Sequence, residues 1–96
     1  MTVYIAGPMT GLPEFNRPAF FKAAARLEKK GCKVLNPARI GDLPEYDMYW
    51  PINEAMLEGA DAIYLLKGWE ASEGASREAR YAYVLGLSVM LEDDDA

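Results

Sequence analysis

With 96 residues the chain has room for one domain, and an apolar fraction of 51% is enough to build a core. A formal charge of −5 argues against clustered cations that grip a nucleic-acid backbone, so a nucleic-acid polymer is not an expected partner. There is no histidine and one cysteine, which removes Ser-His-Asp and Cys-His nucleophiles, the commonest zinc ligand and any disulfide framework. Chemistry is left to carboxylates, hydroxyls, Tyr and Lys. Cys32 reads as a small hydrophobe at the start of a strand. The N-terminus opens on a strand-like run rather than a signal peptide, and no apolar stretch is long enough to span a bilayer. A cytoplasmic protein with no membrane partner is expected.

Thr2 to Ala6 is a β-branched and aromatic run stopped by Gly7-Pro8, which predicts a buried strand ending in a turn. Met9 to Phe15, with Gly11 and Pro13, should be loop. Asn16 is the expected cap of a helix that has Pro18 in its first turn, Gly31 just past its end, and Phe20, Ala23, Ala24 and Leu27 as its inward stripe. Cys32 to Asn36 returns as a strand. The segment from Pro37 through Trp50 is long for a connection in so small a domain, and long ordered loops are often functional. Pro51 starts a short helix to Gly59, and Ala60 to Leu66 is a third strand. A helix following Ser72 leads to the fourth strand, Leu87 to Leu91. The domain spans residues 1–91, and residues 92–96 form an acidic tail expected to be solvated and frayed.

Alternating strands and helices predict an α/β domain, a flavodoxin-like three-layer arrangement with a four-stranded parallel sheet in the order 2-1-3-4. Ligands of such sheets bind beyond the carboxyl ends of the strands, near the point where strand order reverses. That rule gathers Gly7 to Phe15, Asn36 onward and Lys67 to Glu78 around one crevice.

Glu78 is the residue that most needs explaining. On a wheel of about 100° per residue, Ala75, Ala79, Ala82, Leu85 and Gly86 share one side, while Arg77, Arg80 and Val84 lie opposite. Glu78 falls between Ala82 and Leu85. A carboxylate on an apolar face is either hydrogen-bonded for structure or set aside for chemistry. Ser72 stands where it caps this helix, and a helix N-terminus also attracts phosphate or carboxylate; the two roles are compatible. The Ala6-Gly7-Pro8-Met9-Thr10-Gly11 stretch is an ordinary turn or a backbone cradle for an anion. Tyr46, Tyr49, Trp50 and Trp69 are candidates for a wall on which a base stacks, or for packing of the loop. Arg77 and Arg80 read as solvated helix charges.

Tyr4-Ile5-Ala6-Gly7-Pro8-Met9, Ala60-Asp61-Ala62-Ile63 and the spacing Gly74, Glu78, Ala82, Gly86 resemble the nucleoside 2-deoxyribosyltransferase superfamily. The Trp-Glu-x-Ser-x-Gly-Ala run at Trp69 to Ala75 is similar to its short branch of unknown function, common in bacteria and phages. The resemblance covers nearly the whole chain. It implies that Glu78 is a nucleophile on C1′ of a 2-deoxyribosyl group, with the covalent intermediate resolved by another base or by water. Gly7, Pro8 and Met9 would shape the sugar and base pocket, with Ser72, Gly74 and Asn53 also in contact with substrate. At the position of Ser72 the transferases carry an aspartate for the sugar 5′-hydroxyl, and the related deoxynucleoside 5′-monophosphate N-hydrolases a serine for the phosphate. Ser72 therefore implies a 5′-phosphorylated nucleoside as the small-molecule partner. No metal or other cofactor is implied, and the family usually forms homo-oligomers in which a neighbouring chain closes the pocket. Exposed Tyr81 and Val84 fit that assembly.

The chain departs from the family at Asn53, where both better-known branches have an aspartate. Asn is neither a general acid nor a general base. Either Asp47 or Glu73 takes over, or the chemistry is slow or lost and the chain is a non-catalytic nucleotide-binding module or a scaffold with a vestigial crevice.

Overall fold

Both faces of the first strand are apolar, and both are covered. In the computed structural model, which describes residues 1–95 and all their side chains except those of Tyr46 and Asp95, β1 (Thr2–Ala6) is central to a four-stranded sheet. Its neighbours are β2 (Lys33–Leu35) and β3 (Ala62–Leu65), and β4 (Ser88–Leu91) forms the far edge. All pairings are parallel, with Tyr4 opposite Leu35 on one side and Ile63 on the other, in the expected order 2-1-3-4.

Alternation along β1 and β3 divides the core in two. Val3, Ile5, Tyr64 and Leu66 face α1 (Arg17–Lys29) and meet Phe20, Ala23 and Leu27 on it. Tyr4, Ala6, Ile63 and Leu65 face the other layer, made by α2 (Tyr49–Glu58) and α3 (Glu73–Leu85), where Leu57 and Ala82 complete the packing. The inward stripe of α1 is the one its 3.6-residue period predicts.

Several boundaries differ from the sequence reading. Asn16 does not cap α1 through its side chain; it sits in the left-handed region, and its Nδ2 donates to Pro8 O at 2.9 Å. Glu14, Phe15 and Asn16 are left-handed in succession, with φ of 54°, 53° and 59°. A single non-Gly residue there is uncommon, and a run of three persists only where tertiary contacts hold it. Helix α2 begins at Tyr49 and places Pro51 in its first turn, where the missing N–H is harmless. Leu85 is 37% exposed and Gly86 is exposed, so the inner face of α3 ends at Ala82. Gly86 takes a φ of 77° and closes the helix, the use to which glycine is best suited. The acidic tail is not simply frayed: Glu92–Asp95 makes a 3-10 turn, and Glu92 Oε1 accepts from Lys67 N–H at 2.8 Å. Ala96 lies outside the described residues. Among the described residues no helix is long and apolar enough to cross a membrane.

Candidate functional site

The first turn after each central strand is shaped by how close the chains must pass. At Gly7 a Cβ would stand 2.7 Å from Leu66 Cβ and 2.8 Å from Leu66 Cδ1, so only glycine lets the end of β1 lie against the end of β3. Gly68, at φ 85°, turns the chain beyond β3 into a 3-10 turn over Trp69–Ala71, and this delivers Ser72 to the start of α3. Ser72 Oγ accepts from Ala75 N–H at 3.1 Å, an N-cap that aims the first turn of α3 across the sheet end.

Glu78 then falls on the inner face of α3, over β1. It is 7% exposed. Tyr4 Oη, reaching up from β1, donates to Glu78 Oε2 at 2.8 Å. Asn53 Nδ2, from α2, donates to the same oxygen at 2.9 Å. Both bonds fall on Oε2, so one carboxylate oxygen is anchored from two elements and neither bond holds Oε1. Burial raises the Glu78 pKa from 4.5 to about 7, while the bonds from Tyr4 and Asn53 and the charge of Arg77 pull it down. Tyr4 is itself pushed well above its ordinary value, first by burial and then by the charge and hydrogen bond of Glu78, so it stays a donor. Asn53 Oδ1 is buried with no partner among the described residues.

A cavity of about 180 Å³ opens beside Glu78 at the carboxyl end of the sheet. Six of the sequence-predicted residues meet on it: Gly7, Met9, Asn53, Ser72, Gly74 and Glu78. Pro8 does not; it packs beside Gly68 and offers its carbonyl to Asn16. Tyr49 and Trp50 line the cavity, but Trp69 packs into the core layer under α3. The Tyr46 side chain lies outside the described residues. Asp47 and Glu73 are exposed and do not line the cavity. Among the described residues the carboxylate that does, besides Glu78, is Asp42, at the rim in a 2.9 Å ion pair with Arg17.

Sequence reasoning gave no role to Tyr4, Arg17 or Asp42; it read Arg77 as a solvated helix charge, and Arg77 is exposed. Arg77 lines the cavity and lies over the Trp50 ring at 3.9 Å, which leaves a cation at the mouth. Arg17, which also lines the cavity, lies over Phe15 at 5.1 Å. Tyr81, expected on the outer side, is half-buried; it meets Trp50 edge-on and donates to Glu58 Oε2 at 2.5 Å. The phenol in the middle of a mostly apolar strand was the one available signal for Tyr4, since a buried phenol needs a partner. Nothing local in the sequence ties Arg17 to Asp42. Among the described residues no group of three His, Cys, Asp or Glu side chains is placed to hold a metal.

The arrangement can do limited chemistry. One buried carboxylate is poised between its charged and neutral forms, flanked by donors, a helix N-terminus and two guanidinium groups. That suits a nucleophile or an anion-tolerant binding site more than a hydrolytic pair of carboxylates.

The comparisons with known proteins agree at the level of fold. A 2-deoxyribosyltransferase from the psychrotolerant bacterium Bacillus psychrosaccharolyticus superposes with a TM-score of 0.74 at 20% identity, over 95% of this chain and 71% of that one. A 2-deoxyribosyltransferase from Leishmania mexicana gives 0.75 at 24% identity, over 94% of this chain and 62% of that one. The fold resemblance drawn from the sequence is thereby shown. No curated protein sequence matches. A family model described as a domain of unknown function (DUF4406) matches residues 1–91.

Proposed function

The chain belongs to the DUF4406 family, a domain of unknown function, and from its site geometry we propose that it cleaves or transfers the N-glycosidic bond of a 2-deoxynucleoside through Glu78. One observation carries the reading: a buried carboxylate with Oε2 fixed by Tyr4 and Asn53, beside a cavity at the strand ends. Anchoring one oxygen holds the other in a set direction, which is what attack on C1′ requires. The two proteins of similar fold described above are named as 2-deoxyribosyltransferases, which supports the same bond as the target.

The ligand is a 5′-monophosphate in this reading. The Ser72-capped N-terminus of α3 favours an anion, and Arg17 and Arg77 stand at the mouth. A cavity of about 180 Å³ suits the sugar, with base and phosphate reaching toward the open rim. The chain acts in the cytoplasm as a homo-oligomer, for which exposed Tyr83 and Val84 on α3 offer an apolar patch.

The test is a chromatographic assay of base release from a panel of deoxynucleosides and their 5′-monophosphates. Wild type releases base, and Glu78→Gln abolishes release while keeping its fold. The kcat/KM rises with pH through about 7 as Glu78 ionises. Tyr4→Phe, which removes a donor to the carboxylate, moves that limb to higher pH. Unchanged ligand across the panel at every pH would sink the enzyme reading.

A second reading has its own observation. The position that could carry a general acid is Asn53, and a site without one fits a nucleotide-binding module that holds its ligand intact. It predicts a ligand-raised melting temperature with no base released, and little loss of binding in Glu78→Gln.

A further inference from the structure

Departure of a nucleobase leaves an electron pair on its glycosidic nitrogen, and most N-glycosidases meet that charge with a positioned acid. Among the described residues, the phenols and the second carboxylate at this cavity are each committed elsewhere. Tyr4 Oη donates to Glu78. Tyr49 Oη accepts from Leu43 N–H at 2.8 Å and turns toward Gly41 O at 3.3 Å, pinning the loop. Asp42 is 83% exposed at the rim and paired with Arg17. The side chain next to Glu78 is the amide of Asn53, one of whose Nδ2 hydrogens goes to Oε2 and whose buried Oδ1 can only accept; an amide is no general acid.

We propose that Asn53 makes this chain selective for N-glycosides whose base departs as its own anion, that is, 2-deoxyribosyl compounds of bases with an acidic glycosidic nitrogen. The inference rests on the reading of Glu78 as nucleophile. A Glu78 oxygen forms the bond to C1′ as the C1′–N bond breaks, and the electron pair stays on the base. The base anion takes a proton from water. Water or hydroxide then cleaves the glycosyl ester, returning the Glu78 carboxylate and free sugar.

Selectivity follows from leaving-group acidity rather than from shape. Oxo-purines and pyrimidines with an electron-withdrawing 5-substituent are substrates; cytosine, whose nitrogen anion is far more basic, is a poor one. An aspartate in place of Asn53 would sit beside Glu78 Oε2, where two carboxyls in one site keep a shared proton, and that proton would serve the base.

The experiment measures kcat/KM for the 5′-monophosphates of 2′-deoxy-5-fluorouridine, thymidine and deoxycytidine, near-isosteric pyrimidines of falling glycosidic-nitrogen acidity. Deoxyxanthosine, deoxyinosine and deoxyadenosine monophosphates form the parallel purine series. The wild type is expected to lose about a hundredfold or more across the pyrimidines, the scale of a missing general acid. Asn53→Asp, assayed below pH 7, is expected to narrow that ratio about tenfold or more. A flat wild-type series overturns this inference and leaves the proposed function standing. So does an unchanged ratio in an Asn53→Asp protein that still cleaves the fluorouracil substrate. Should that variant lose its fold, the wild-type series decides alone. No turnover of any substrate, the most acidic leaving groups included, is the failure of the proposed function itself.

Discussion

Glu78 exacts a stability penalty whose pH window is set by its own titration. Its pKa is 4.5 when exposed and about 7 in the fold, a difference worth roughly 3 kcal/mol. Below pH 4.5 both states hold the proton and no penalty exists. Between 4.5 and about 7 the unfolded chain ionises first, so folded stability falls as pH rises, and above 7 the loss is complete. Urea unfolding from pH 4 to 9 should show this decline in wild type, and Glu78→Gln should lack it. An identical pH profile in the two proteins would mean that the carboxylate is better solvated than its burial implies. Gly7 is the other residue with a sharp expectation. A methyl group there would meet Leu66 at 2.7 Å, so Gly7→Ala should lose about 1–3 kcal/mol and displace the ends of β1 and β3. A melting temperature within a degree of wild type would contradict that.

At the scale of elements, α3 carries the site and its start is worth testing. Removing the Ser72 hydroxyl leaves the Ala75 N–H without its cap, and Ser72→Ala should cost about 1 kcal/mol in denaturant unfolding. If the 5′ end of the ligand also sits there, the same variant raises KM for monophosphates more than for nucleosides. The helix itself was legible in the sequence, as were α1 and the strand order, because apolar period and terminal glycines agree in both helices and Ser72 adds a cap to α3. Helix α2 was misplaced by two residues: Tyr49 and Trp50 bring no capping signal, and Pro51 drew the start toward itself. Asn16 has the composition of a cap but takes a left-handed backbone, which single-residue preference cannot foresee. Of the site, the residues on short motifs after the strands were readable. Tyr4, 74 positions from Glu78, and the Arg17–Asp42 pair were not, because contact between distant segments leaves no local pattern.

For the whole molecule the sheet is covered by one helix on one face and two on the other, and its β4 edge is open. Tyr83 and Val84, at 84% and 77% exposure on α3, and Val89 on β4, at 56%, present apolar surface to solvent. A homo-oligomer would bury such a patch, so Tyr83→Ser with Val84→Ser should shift the mass seen in sedimentation toward monomer. A monomeric wild type at assay concentration would refute that assembly.

The turn at Glu92–Asp95 has a kinetic consequence. Glu92 ties it to Lys67, just past β3, so it lies at the same end of the sheet as the cavity. A phosphorylated ligand approaching that end meets a protein of charge −5 before it reaches Arg17 or Arg77. Diffusional encounter is then slowed by repulsion, and salt relieves it: as the Debye length falls from roughly 30 Å at 0.01 M to 8 Å at 0.15 M, association should speed up about twofold or more. Stopped-flow quenching of tryptophan fluorescence can follow it. Asp93→Asn with Asp94→Asn should raise the low-salt rate and flatten the salt dependence; an unchanged salt dependence would refute repulsion by the acidic end.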